Sequence, residues 1–253
     1  MHKTASKTFS FRSITPGIEI LNQAFSLPRH RHLQAYATVV LAGTMEEAGY
    51  AGRIEARARD VLIHSSLDCH VNHKVQAGVR LIRLAWSDPV ITPGLYQVDD
   101  LDRLAVTSEK CPLDASLLLS ELLRKHATRS PRTRDDWPDL LATNLLTDVS
   151  ARIGVWARTH RLAPETVSRG FSMAYGVSPE VFKAETRARK AWLRITQGQD
   201  DLAGIAADTG FSDQAHMTRW ICRTPERRLE PGDERHLRFA WPPRTFSSLV
   251  SES

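Results

Sequence analysis

The residues from Leu202 to Ile221 carry the most pointed chemistry in the chain. On one short helix Met217, Trp220 and Ile221 would face inward, which leaves Asp213, Gln214, His216, Thr218 and Arg219 for the outer surface. An arginine so placed can donate two parallel hydrogen bonds to guanine O6 and N7, and a glutamine can pair in the same way with adenine. Contacts of that kind need a rigid element that fits a major groove, and the preceding residues supply one. Leu202, Ile205 and Ala206 give a short helix an inward face, Ala206 is small where two helices cross, and Gly210 accepts the positive φ of a tight turn. Ser212 is expected to cap the second helix, with Asp213 in its first turn at the positive end of the dipole. The spacing is that of a helix-turn-helix.

The rest of the chain must hold that unit in place. Its 253 residues suit one large domain or two ordinary ones, and 25% charged against 42% hydrophobic residues is ordinary for a folded chain. No apolar run approaches the length of a membrane helix, and the first residues lack the apolar core of an export signal. Three distant cysteines, Cys69, Cys111 and Cys222, exclude a disulfide scaffold and a CxxC zinc ribbon. A cytoplasmic protein without a membrane partner is the expectation. Net charge is +5, and residues 151–228 hold 13 Lys+Arg against 8 Asp+Glu, so the excess sits where a polyanion would be met.

Hydropathy patterning changes along the chain. Residues 34–42, 53–58, 61–63 and 79–86 read as short strands separated by Gly, Asp and Asn, a sandwich or small barrel. After Pro112 a helical stripe runs through Leu113, Leu117, Leu118 and Leu122. The polar, proline-containing stretch before Pro138 reads as a linker, and from Leu140 onward the pattern is helical. The domains expected are a sensor and dimerisation domain at 10–127, a linker at 128–137, a DNA-binding domain at 138–228 and an irregular tail at 229–253.

The run Ile205-Ala-Ala-Asp-Thr-Gly-Phe-Ser-Asp-Gln-Ala-His-Met-Thr-Arg219 closely resembles the signature of the AraC/XylS family of transcriptional regulators. Residues 153–171 are similar to that family's first helix-turn-helix, with Ala157 at the crossing, Pro164 opening the recognition helix and Val167 and Phe171 inward. Glu165, Thr166, Ser168 and Arg169 then face out. Arg161 stands where the family usually has Gly, and Ala163 where a capping Ser is common. Gly176-Val-Ser-Pro-Glu180 resembles the family's break before a long linking helix, with Ser178 as cap and Gly198 as stop. Arg187, Lys190 and Arg194 on that helix are expected on a solvated face, and Trp156, Trp192 and Trp220 in the core. After Ile221 the resemblance is cut short before Pro225.

The resemblance implies an α+β two-domain protein: an N-terminal cupin-like β-barrel with trailing helices, then an all-α domain of two helix-turn-helix units on a long helix. It implies double-stranded DNA as partner, RNA polymerase as a further one, a small-molecule effector at the barrel and a homodimer contact through Leu113, Leu117 and Leu118. Packing of that leucine stripe on its own barrel is equally compatible. Pro28-Arg-His-Arg-His32 followed by a strand, then Ala58-Arg-Asp-Val-Leu-Ile-His64 and Cys69-His-Val-Asn72, are similar to the two cupin motifs, in which His30, His32 and His70 would be metal ligands. The carboxylate expected shortly after His32 is missing, with Tyr36 and Ala37 in its place, so a degenerate sensor without metal or other cofactor is expected. No catalytic step is expected; the alternatives are a metal-dependent cupin enzyme with a DNA-binding appendage, or a partner-binding module whose DNA reading has decayed.

Overall fold

The computed structural model describes residues 10–11, 13–126, 128–129, 136–198 and 201–221. The expected tail at 229–253 and the shortened end after Ile221 lie outside the described residues. Two packed sheets form the N-terminal part. One has the order β1(Ser10–Phe11), β3(Phe25–Arg31), β8(Cys69–Val75), β5(Thr44–Gly49), β6(Gly52–Arg57). The other has the order β11(Thr128–Arg129), β10(Gly94–Gln97), β7(Asp60–His64), β4(Tyr36–Ala42), β9(Val79–Ala85), β2(Gly17–Leu21). Pairing is antiparallel throughout except between β1 and β3. This is the β-barrel part of the expected two-domain α+β fold, and Thr128–Arg129, in the stretch read as linker, form its edge strand.

Side-chain alternation explains the layers. On β4, β7 and β9, Ala37, Val39, Val61, Ile63, Ile82 and Leu84 face outward, under α1(Leu101–Lys110) and α2(Pro112–His126). The intervening Val40, Leu62, Val79 and Leu81 fill the interior with Met45, Ile54 and Val75. The central sheet is thus apolar on both faces. The α2 stripe divides: Leu118 is 8% exposed and packs on the barrel with Leu119 and Leu123, whereas Leu113 and Leu117 are 67% and 65% exposed. Helix α1 leaves little mark in the sequence because it buries only Leu104 and Ser108, one turn apart.

The helical part comprises α3(Trp137–Thr147), α4(Ile153–Thr159), α5(Pro164–Tyr175), α6(Pro179–Gln197), α7(Leu202–Asp208) and α8(Gln214–Ile221). Ser178 caps α6 by accepting from Val181 N, and Gly198 ends it at φ +69°. Nineteen residues make α6 ~28 Å long. Its first half shares a core with α3, α4 and α5 through Phe171, Tyr175 and Phe182; its second half shares one with α7 and α8 through Trp192, Ile205, Phe211 and Met217. The barrel enters both cores. Ala48 and Val71 pack into the first, and Leu67, held at φ +57° between β7 and β8, packs into the second.

Candidate nucleic-acid interface and a buried histidine chamber

The two helix-turn-helix units repeat one backbone design. In the first turn Arg161 N donates to Arg158 O and Leu162 N to Ala157 O; in the second Gly210 N donates to Ala207 O and Phe211 N to Ala206 O. Ala157 and Ala206 are buried at the crossings. Gly210 takes φ +80° and Arg161 φ +55°, so the arginine occupies the left-handed position that glycine fills in the second unit. Ala163, at the N-cap of α5, makes no side-chain cap hydrogen bond.

The structure corrects the expected cap of α8. Asp213 is the capping residue: its Oδ1 accepts from His216 N at 2.6 Å and its carbonyl from Met217 N. The helix begins one residue later than the sequence suggests, which moves Ser212 outside it. The Ser212 hydroxyl instead lies 2.9 Å from Asp213 Oδ2 and 3.0 Å from His216 Nδ1. His216 also accepts from Trp220 Nε1 at 3.1 Å, so both of its ring nitrogens are engaged within the unit. The bond from the His216 amide holds the Asp213 carboxyl below the usual range.

Among the other candidate contacts, Glu165, Thr166, Ser168 and Arg169 are all exposed on α5. Arg219 is exposed on α8, with Gln214 and Thr218 half-buried. The linking helix departs from expectation. Lys190 Nζ donates to Leu146 O at 2.6 Å, Arg187 to Val149 O and Lys183 to Ala151 O, while Arg194 pairs with Asp208 at 2.8 Å. Most of the expected solvated face is therefore a row of donors to carbonyls at the end of α3 and in the loop that follows it. Trp192 is buried, whereas Trp156 and Trp220 are half-buried at the rim.

Inside the barrel the Arg29-His30-Arg31-His32 alternation splits. Arg29 and Arg31 point toward α6 and Cys69, and His30 and His32 point inward. His30 sits directly opposite His70 across the β3–β8 pairing, and their rings lie 4.3 Å apart. The structure brings His30, His32 and His70 together, all buried, with candidate ligand atoms within 4.8 Å of one another. It also adds His64 and Asp68, which with His70 form a second such group. His64 Nδ1 is 2.8 Å from Asp68 Oδ2, and its Nε2 is 3.7 Å from Glu47 Oε1.

His64 entered the sequence reading only as the end of a cupin-like stretch and Asp68 not at all, although the signal was present: His64 lies two residues after inward-facing Leu62, on the same face of β7. Tyr36, in place of the missing carboxylate, stacks on His64 at 4.3 Å. Burial, reinforced by His30, holds His32 at about 3, and burial with neighbouring His64 holds His70 well below the usual imidazole value. Burial disfavours charge on His64 too, but Glu47 and Asp68 outweigh it and raise its pKa. Neutral imidazoles with desolvated Nδ1 atoms on His32 and His70 fit a metal ion chemically.

A family model described as a helix-turn-helix domain matches residues 156–225. Among solved structures, unsaturated fatty acid bound ToxT from Vibrio cholerae aligns over 83% of this chain and 91% of its own, at 11% identity and a TM-score of 0.36. An oxalate decarboxylase from Bacillus subtilis aligns over 65% of this chain and 33% of its own, at 10% identity and a TM-score of 0.21. No curated protein matches the chain. The assignment stands on the sequence match and on the repeated turn geometry, in which α5 and α8 take equivalent places on one linking helix. The chain is a DNA-binding protein that carries an AraC-type helix-turn-helix domain over residues 156–225.

Proposed function

We propose that the chain is a sequence-specific transcriptional regulator whose barrel receives an effector and whose helices α5 and α8 enter successive major grooves. The observation that carries this reading is the exposure of a polar recognition face at each end of a single ~28 Å helix, close to the ~34 Å repeat of the duplex. Arg169 and Arg219 read guanine, and Gln214 reads adenine. Glu165, Thr166, Ser168 and Thr218 hold phosphates or base edges. Asp213 and His216 act indirectly, by fixing where α8 begins. No catalytic step is required, and the working compartment is the cytoplasm.

Control follows from the docking. Barrel side chains take the last carbonyls of the recognition helix α5: His73 Nε2 donates to Ala174 O at 2.6 Å and Arg29 Nη1 to Tyr175 O at 3.1 Å. An effector that binds one barrel arrangement better than another shifts the population of DNA-competent protein by its differential affinity. The exposed Leu113 and Leu117 on α2 suit a second copy of the chain, and RNA polymerase is the partner that the resemblance implies.

Selection of genomic fragments by the purified protein at physiological salt tests the reading. One recovered motif spanning two adjacent major grooves is the expected result, with Arg219→Ala and Arg169→Ala each costing ~1–3 kcal/mol on it. Weak binding that is blind to sequence and vanishes with salt would overturn it.

A further inference from the structure

A cleft of about 380 Å3 opens outside the barrel, where the outer face of the β8–β5–β6 sheet meets the start of α3 and the end of the recognition helix α5. Its floor follows from the alternation of the strands. Met45 and Ile54 turn into the barrel, so Glu46 and Glu55 turn out, directly opposite each other across the β5–β6 pairing. Glu47 turns inward to His64, so the cleft and the histidine chamber lie on opposite sides of β5. The walls come from the helical part, Trp137 and Pro138 from α3 and Gly170 and Met173 from α5.

The walls are apolar and tied to the reading helix. An added Cβ at Gly170 would lie 2.5 Å from Trp137 Cζ2, so the indole rests directly on the backbone of α5. A glycine inside a helix is unfavourable, and here it admits that ring. Met173 is 74% exposed and lies one turn beyond Arg169 on the same helical face. The floor is negative. Arg53 shares the outer face of β6 with Glu55 but donates to Asp136 and Asp139 instead. Lys74 stands opposite Glu46 across the β5–β8 pairing. Glu46, Glu55, Asp136 and Asp139 thus meet Arg53 and Lys74, four negative charges against two positive. Like charges directly opposite on paired strands repel, and a cation above them relieves that repulsion.

We propose that this cleft binds a small organic ammonium ion with an apolar body, its charge over Glu55 and Glu46 and its body against Trp137 and Met173. An indole face attracts a cation, a thioether packs on apolar groups, and the volume is that of small-molecule sites at domain junctions. An anion meets the same carboxylates and is repelled. The site lies outside the barrel interior, and its effect on DNA rests on the reading of the chain as a regulator. Because the barrel supplies the floor and the helical part the walls, an occupant favours the arrangement in which α3 and α5 sit on the barrel. Gly170 and Met173 carry that preference to the helix that presents Arg169.

Calorimetric titration of the full-length protein with phenethylammonium chloride tests the site, against 2-phenylethanol and 3-phenylpropionate as neutral and anionic probes of similar shape. The expected result is one saturable equivalent of the cation, with the other two at least ~10-fold weaker. Glu55→Gln is expected to weaken the cation ~10-fold and Trp137→Leu ~5-fold. Glu121→Gln, on α2, serves as the control and keeps full affinity. Circular dichroism reports the fold of each variant, and if Trp137→Leu does not fold, Glu46→Gln takes its place. No saturable uptake of the cation up to ~10 mM, equal affinity for the three probes, or a Glu55→Gln variant that binds as the wild type does overturns the site. The selected DNA is then bound with and without saturating amine. A change of ~5-fold or more in DNA affinity is expected, and an unchanged affinity overturns the coupling to α5. Absence of specific DNA binding in both states overturns the regulator reading instead, while the calorimetry still decides the cleft.

Discussion

Arg161 shows how much one residue can be read from its neighbours. Its place in the first turn matches that of Gly210 in the second, and its φ of +55° follows from the shared turn. A left-handed conformation costs a non-glycine residue ~1–2 kcal/mol. Glycine recovers that but gives back ~0.5–1 kcal/mol in chain entropy. Arg161→Gly is therefore expected to stabilise the protein by about 0.5–1 kcal/mol, read as a rise in the urea midpoint at unchanged slope. A lower midpoint would show that the arginine side chain offsets its backbone strain. This position was legible because two copies of the motif can be laid over each other. His64 and Asp68 were not, since a lone histidine at a strand end has no repeat to compare with. The cap of α8 was legible only as a choice between Ser212 and Asp213, both able to accept from a helix amide, until the structure fixed the helix start.

At the scale of elements, the strands of the central sheet and the helices α2, α5, α6 and α8 were written in the periods of their apolar residues. What escaped were bonds between elements far apart in sequence. Arg187 and Lys190 read as part of a solvated face because the carbonyls they reach belong to Val149 and Leu146. The start of α3 is a second case. Its capping box joins Asp136 and Asp139, and Arg53 from β6 donates to Asp139 at 2.9 and 2.7 Å and to Asp136. The Tyr175 hydroxyl of α5 adds a bond to Asp139 at 2.7 Å, so one carboxylate ties the barrel, α3 and the recognition helix together.

Burial works against the charge on Asp139, but Arg53 and Tyr175 outweigh it and hold the carboxyl below its ordinary range. A group whose folded pKa is depressed contributes stability above its unfolded pKa of ~3.9 and loses it as pH falls through the lower folded value. Arg53→Met is expected to cost ~1.5–3 kcal/mol at neutral pH. Its stability falls less steeply below pH ~4 than that of the wild type, because less of the depression remains to be lost. Urea unfolding at pH 7 and at pH 3 checks both statements, and a variant whose deficit is the same at both pH values would sever Arg53 from the Asp139 titration.

The whole molecule is held by what the barrel puts into the helical cores. Leu67 plugs the second unit, Ala48 and Val71 the first, and Gly176, at φ +74°, brings the end of α5 so close that an added Cβ would lie 3.3 Å from Val71. Between these contacts lies Arg29, whose Nε and Nη2 both stand 2.9 Å from Glu185 Oε2, with side chains 2% and 0% exposed. Burial opposes the charge on Arg29, and Glu185 more than offsets it. The two domains were legible separately, but this pairing was not, because Arg29 alternates with histidines on a strand and Glu185 is one of several charges on a helix. A buried pair contributes little net stability, yet removing one partner strands the other without water. Arg29→Met is therefore expected to cost ~3–5 kcal/mol by urea unfolding, and Arg29→Met combined with Glu185→Met to recover most of that loss. If the single variant costs under ~1 kcal/mol, water reaches Glu185 and the barrel does not hold α6 as described. The barrel would then hold the helical part chiefly through Leu67 and His73.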